Sequence, residues 1–327
     1  MAPTKPNADV TVIYRYNNTA LVKWGKSTGH TGYGIKLESG GATIGTWVIS
    51  KALVEKINWC EFDLDLLASA PGKSYVTKYA TTYQLTAYGY NANTDEFSAG
   101  TTPATLTMCP EPAKFSTSQV GNNLRVTIGN FSYNWTRVIF DVYKKNGVVP
   151  VTSFSLYNGG MSSYAVTGLT LNVTYIVKGV TELQVGAAIL YSQYYDAIAD
   201  DGLIYWETKR QHLQGTKPTT FSWVAAKVPD GQYNLTALEW NNYVYKLDEV
   251  AAYKGEDFYN LSTVIQYDFV NKEAIADLFL GFVARSMLHG TLFVKLSDVT
   301  AVRNAVFVTA NSLNLMKDEL NAILDQT

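Results

Sequence analysis

Thr82–Tyr90 reads TYQLTAYGY, and its alternation of apolar and polar side chains has the two-residue period of a strand buried on one face. Its tyrosines, threonines and leucine suit a pleated surface better than a helix. Working outward, the same rhythm recurs on both sides. Upstream, Val10 and Val12, then Leu21, Val22 and Trp24, flank the turn Asn17-Asn18-Thr19, and GYGIKLESGG and GTWVIS continue it with glycine-marked turns. Downstream, Asn91 to Thr107 reads as a turn and a closing strand. Leu124, Val126 and Ile128, then Val138 to Tyr143 ending at an Asn146-Gly147 hairpin turn, then Ser163 to Leu169 and Thr174 to Val180, repeat the order. Short strands with turns every eight to twelve residues or so predict antiparallel sandwiches.

A chain of 327 residues is too long for one ordinary core. With 47% hydrophobic and 17% charged residues its composition is globular, and 23 Tyr against three His favours half-wet β surfaces over proton-transfer chemistry. A net charge of −2 gives no long-range pull toward nucleic acid or anionic membrane, and nucleic acid is not expected as a partner. No stretch approaches the ~20 apolar residues of a membrane span, and MAPTKPNAD carries no secretory pattern. The sequons at Asn17, Asn172 and Asn234 therefore read as ordinary turn and strand residues. Cys60 and Cys109 stand in no CxxC and near no His cluster; they read as separate buried thiols, and spacing alone places no disulfide.

The last third is patterned differently. Thr236 followed by Glu239 is a capping box, and Trp240, Tyr243, Val244, Leu247 and Val250 form the apolar stripe of the helix it opens. Thr309, Ala310, Leu313, Asn314, Leu320 and Asn321 repeat the offsets of Thr236, Ala237, Trp240, Asn241, Leu247 and Asp248. Between them a third helix is expected from near Asn271, with Ile275, Leu278, Phe279, Phe282, Val283 and Met287 on one stripe. Trp240, Tyr243 and Leu247, with Leu313 and Leu320, either close an intrachain core or complete a subunit interface of a homo-oligomer.

TTYQLTAYGYNANTDEFSAG and SSYAVTGLTLNVTYIVKGVTE resemble the back halves of fibronectin type III modules, over roughly residues 8–108 and 113–198. In the second module the resemblance makes Leu169 the turn-packing leucine and Tyr175 the corner tyrosine tied back to backbone; Trp24 takes the core position of strand B in the first. The first module lacks a Leu six residues before Tyr83 and carries an extra segment, INWCEFDLDLLAS. The expected fold is mostly β: fibronectin III/Ig-like sandwiches at 1–110 and 111–200, divided at MCPEP, then an α+β assembly or attachment domain at 201–327 entered through a polar linker, YWETKRQHLQGTKP.

Phe221, Trp223, Lys227, Thr236, Ala237, Glu239, Trp240 and Asn241 resemble, in order, a short C-terminal segment of tail-associated virion proteins of phages and prophages. That resemblance implies a non-enzymatic virion component of tail, baseplate, neck or fibre, made in the host cytoplasm and partnered by other virion proteins. The alternative is a carbohydrate-binding adhesin that touches a host-surface glycan.

Matches to catalytic motifs are weak. Ala20–Ser27 fits a loose P-loop, and Gly25–Gly29 fits G-x-S-x-G, but the residues before Gly25 alternate like a strand and no helix is expected after Ser27. His30, His212 and His289 lie far apart in sequence, with no carboxylate spaced to hold an imidazole. Asp63 and Asp65, or Asp196, Asp200 and Asp201, lack a calcium-loop spacing, and Glu61 with Asp63 lacks a sugar cleft. No cofactor, metal or enzymatic activity is expected. The candidate ligand contacts are Tyr88, Tyr90, Tyr191, Tyr194 and Tyr195, since tyrosine offers rigid stacking area.

Overall fold

The computed structural model describes residues 2–70, 72–194, 203–204, 206–223, 236–256, 272–289, 294, 296–304 and 309–326. It divides into two compact units: Met1–Ser118 with Arg125–Val166 and Ile176–Arg210, and Gln119–Leu124 with Thr167–Tyr175 and Gln211–Thr327.

The first sandwich contains β1 (Thr11–Tyr16), β2 (Thr19–Trp24), β3 (Gly32–Ser39), β4 (Ala42–Ser50), the one-turn α1 (Lys51–Val54), β5 (Cys60–Asp63), β6 (Thr82–Asn91), β7 (Glu96–Phe97) and β8 (Ala104–Thr107). One sheet runs β1-β2-β5, and the other runs β4-β3-β6-β7 with β8 also on β6. In fibronectin type III lettering these are A-B-E and C′-C-F-G. The alternation places Tyr33, Ile35 and Leu37 of β3 and Tyr83, Leu85 and Ala87 of β6 in one core with Val22, Trp24 and Phe62. Ile57–Ser69, read as extra in sequence, supplies strand E and a 3-10 helix over Leu64–Ser69, whose N-cap Asp63 accepts the Asp65 amide at 3.0 Å. Trp24 sits where the resemblance puts it, edge-on to Tyr33 at 5.9 Å.

The second sandwich repeats the order with β9 (Phe115–Val120), β10 (Asn123–Ile128), β11 (Arg137–Lys144), β12 (Thr152–Tyr157), β13 (Ser163–Val166), β14 (Val173–Val185) and β15 (Ala188–Tyr191). After β15 come the short pair β16 (Gln193–Tyr194) and β17 (Leu203–Ile204), then β18 (Glu207–Leu213). Its sheets are β13-β10-β9 and β12-β11-β14-β15, with β18 also on β14. The polar stretch expected as a linker is therefore, over Glu207–Leu213, a strand of this sheet. Only Leu213 of its seven residues is buried, so it shows no apolar period. The turn at Asn146, held at φ 65°, opens a longer loop than expected: the Gly147 amide donates to Lys144 O at 2.8 Å, and pairing resumes only at Val151, whose amide donates to Val142 O at 2.7 Å.

Both long F strands carry the same corner. Tyr175 Oη accepts the Thr170 amide at 2.9 Å, and Tyr83 Oη accepts the Lys78 amide at 2.9 Å. The first module thus keeps its corner without the leucine; Thr77 stands there and is buried. A serine hydroxyl accepts an F-strand amide in each, Ser98 from Gly89 at 2.9 Å and Ser192 from Thr181 at 3.2 Å. Both lie where strand G breaks into two pairings.

The second unit holds α2 (Ala237–Lys254), α3 (Lys272–His289), α4 (Leu296–Asn304) and α5 (Ala310–Asp325). The capping box is present: Thr236 Oγ1 accepts the Glu239 amide and Glu239 Oε2 accepts the Thr236 amide, each at 3.2 Å. Thr309 caps α5 in the same way, accepting the Ser312 amide at 3.2 Å. Ile275, Leu278, Phe279 and Phe282 of α3 are buried as their spacing requires, with Val283 partly buried against the same core; the Met287 side chain lies outside the description. α4 had no legible signal, being short and rich in valine and threonine.

Candidate interaction surface

Period-two alternation that turns Tyr83, Leu85 and Ala87 inward turns Tyr88 and Tyr90 to the outer face of the first sandwich. Phe97 of β7 joins them, its ring centroid 6.0 Å from Tyr88 and 4.8 Å from Tyr90. Gly34 lies opposite Tyr88 in the ladder, and a Cβ there would come within 2.4 Å of the Phe97 ring. The glycine leaves room for the ring against the sheet. Around this platform stand the exposed Val48, the Lys36–Glu38 ion pair at 2.8 Å, and Asp95, which accepts the Tyr90 hydroxyl at 2.9 Å. Hydrogen bonding and charge raise the Lys36 pKa and lower that of Glu38; the Asp95 hydrogen bond raises that of Tyr90. Apolar ring faces beside fixed donors and acceptors can stack against a sugar or a partner side chain. Phe97 was invisible as a member because β7 has only two residues.

Tyr191 is on β15 of the other sandwich and half-buried. Tyr194 is in β16, with its side chain outside the description, and Tyr195 lies outside the described residues, as do Asp196, Asp200 and Asp201. The five residues expected to offer an assembly interface do not form a surface. Trp240, Tyr243, Leu247, Leu313 and Leu320 are all buried in the core of the second unit. There Phe221 and Trp223 pack on Tyr243 at 5.2 and 5.6 Å between ring centroids. Trp223 Nε1 donates to Leu313 O at 3.0 Å, and the Asn321 amide side chain bonds the Phe221 N–H at 2.7 Å and its carbonyl at 3.0 Å.

The histidines also correct expectation. Glu55, distant in sequence, does hold His30: Nε2 to Oε1 is 2.7 Å, and Tyr33 Oη donates to the same oxygen at 2.8 Å. Burial alone would raise the Glu55 pKa, but hydrogen bonds from Tyr33 and His30 and the charges of Lys51 and Lys26 bring it below the ordinary carboxylate range. His212 accepts the Thr174 hydroxyl at Nδ1, 3.1 Å, and donates from Nε2 to Tyr253 O, 3.0 Å. The His289 side chain lies outside the description. Cys60 and Cys109 are buried and form no disulfide; burial pushes Cys109 up to about 12, so it stays protonated. Among the described residues no group of three or more His, Cys, Asp and Glu could hold a metal. No helix among them is long and apolar enough to cross a membrane.

A cleft of about 1090 Å³ opens in the second unit, lined by His212, Lys254, Glu256, Arg285, Asp325 and Gln326 among others. Its charges are already matched. Arg285 forks onto Glu256 and donates to Gln326 Oε1 at 2.6 Å, Lys217 pairs with Asp325 at 2.8 Å, and Lys254 bonds Gln326 O. Burial, then Arg285, lowers the Lys254 pKa. These cations serve the C-terminal ends of α2 and α5.

No protein-family model and no curated protein matches the chain. Solved structures that it resembles include a two-domain fibronectin type III segment of chicken tenascin, at 11% identity and TM-score 0.36, covering 65% of this chain and 99% of that one. The chicken CNTN1 FN1–FN3 domains match at 11% identity and TM-score 0.29, over 58% and 67%. A chain of a cytokine receptor complex matches at 13% and 0.34, over 62% and 96%. The sandwich assignment rests on strand order and corner geometry, not on these likenesses.

Proposed function

We propose that the chain is a non-enzymatic structural component of a bacteriophage virion, in tail, baseplate, neck or fibre, whose sandwiches act as spacers or contact modules and whose helical unit fixes it among neighbouring subunits. What supports this is the convergence of Phe221, Trp223 and Trp240, residues that carry the resemblance to tail-associated proteins, in one core: Trp240 is buried there and the other two pack on Tyr243. Lys227 lies outside the described residues. Because that core uses up Trp240 and Leu313, assembly must run over other side chains. Leu238 and Tyr245, two helical turns apart on α2, are 68% and 62% exposed and offer such a face. The test is incorporation into particles purified from lysates. Leu238→Asp with Tyr245→Asp, which should leave the fold intact, is expected to remove the protein from particles; normal incorporation of that variant overturns the proposal.

The adhesin alternative is favoured by one observation, the Tyr88–Phe97–Tyr90 platform. It requires the full chain to bind glycans on an array and to lose that signal with Tyr88→Ala and Phe97→Ala. An array without signal removes it.

A further inference from the structure

The loop between β11 and β12 carries four consecutive apolar residues, Val148-Val149-Pro150-Val151. Its valines are 92%, 71% and 43% exposed. A run of exposed apolar residues at a hairpin tip is a liability unless something covers it. The tip is also held in shape, by Asn146 at φ 65°, the Gly147–Lys144 and Val151–Val142 backbone bonds, and Pro150. Little conformational freedom is left to lose on binding.

Its surroundings are cationic. Lys144 and Lys145 precede the tip, and Lys178 Nζ lies over the Tyr143 ring at 4.9 Å. Over the whole module, 111–200, six cations stand against five acids, a net +1; Lys144, Lys145 and Lys178 supply the positive charge beside the tip. Of the acids on the same sheet, Glu182 is paired with Arg137 at 2.8 Å and Asp141 accepts the Ser153 hydroxyl at 2.5 Å.

We infer that this tip docks on an anionic lipid surface, Val148 and Val149 entering the acyl boundary while Lys144, Lys145 and Lys178 lie among the headgroups. An acidic protein is the other occupant to weigh. Protein hot spots draw on Trp, Tyr and Arg, with valine under-represented. A bilayer needs only apolar side chains with a basic collar, whose contributions add to a reversible attachment. The inference does not depend on the virion reading, since vesicles, not particles, test it.

The full chain should co-sediment with vesicles of phosphatidylcholine mixed with phosphatidylglycerol, far less with phosphatidylcholine alone, and detach in high salt. Val148→Ser with Val149→Ser should weaken binding by roughly 100-fold, and Lys144→Gln with Lys145→Gln by roughly 30-fold. Both pairs are on an exposed loop, so thermal unfolding should match the unaltered chain. Val149→Cys carrying an environment-sensitive fluorophore should shift to the blue on the anionic vesicles; Cys60 and Cys109 are buried and should not compete for label. Three results overturn the inference: no association with anionic vesicles, association indifferent to the valine pair, or equally strong valine-independent binding to polyglutamate, which would indicate an acidic protein partner.

Discussion

His212 and Gly255 fit together through one backbone angle. Gly255 ends α2 at φ 69°, and a Cβ there would come within 2.5 Å of His212 Nδ1. Gly255→Ala therefore combines left-handed strain with displacement of a ring that is bonded at both nitrogens, and should destabilise the second unit by about 2 kcal/mol or more. Urea unfolding followed by helical dichroism measures it. In a His212→Ala background only the strain of about 1 kcal/mol should remain, so an undiminished cost there would show that the ring is not the obstacle. Glu55 makes a second residue-level prediction. Its folded pKa is lowered, so its contribution to stability is present above the ordinary carboxylate pKa of about 4.3 and is lost as pH falls through the folded value. The urea midpoint of the first sandwich should drop on acidification below that pH, and Glu55→Gln should flatten this part of the profile; identical slopes would exclude Glu55 as a contributor. Neither site was legible beforehand. A histidine read along the chain gives no sign of a carboxylate brought to it by a strand pairing.

At the level of elements, the two capped helices differ in a way that can be measured. Thr236 and Glu239 satisfy two amides reciprocally, whereas Ser312 stands at the corresponding place after Thr309 and only the single N-terminal amide bond forms to the cap hydroxyl. Thr236→Ala should cost about 1 kcal/mol, and Thr309→Ala no more than that. Hydrogen exchange at the Glu239 and Ser312 amides reads each cap separately; equal protection loss at both in either variant would mean that the helices open only together. These helices were legible because cap chemistry and apolar spacing are local. So were the F strands, where the Tyr83 and Tyr175 corners sit at matching positions. β18 was not legible, because ETKRQHL buries a single side chain, Leu213, and its strand character comes from pairing with β14. β5 was hidden differently: CEFD is too short to show a period, and pairing with β2 defines it. The platform was half legible, since alternation exposes Tyr88 and Tyr90 but cannot bring Phe97 back over Gly34. The two-way reading of the helix stripes has a similar cause. An amphipathic stripe specifies that Trp240 and Leu313 will be covered, not whether the cover comes from the same chain.

Across the whole molecule, the cores of the first sandwich and of the helical unit are built from separate residue sets, one around Trp24, Tyr33 and Leu85, the other around Trp240, Tyr243 and Phe279. Cores that share no side chains need not melt together, and a chain of this length is outside the range where a single cooperative transition is the rule. Two variants separate them. Tyr83→Phe removes the hydroxyl that accepts the Lys78 amide, at about 1–2 kcal/mol. Trp240→Ala opens a cavity in the helical core, at about 3–5 kcal/mol. Thermal scans followed at a helical and a β-sheet wavelength should resolve two transitions, with Trp240→Ala lowering only the helical one and Tyr83→Phe only the other. If Trp240→Ala instead lowers both by equal amounts, the cores are energetically coupled. The helical unit would then belong to the folding unit of the sandwiches rather than standing as a separate attachment piece.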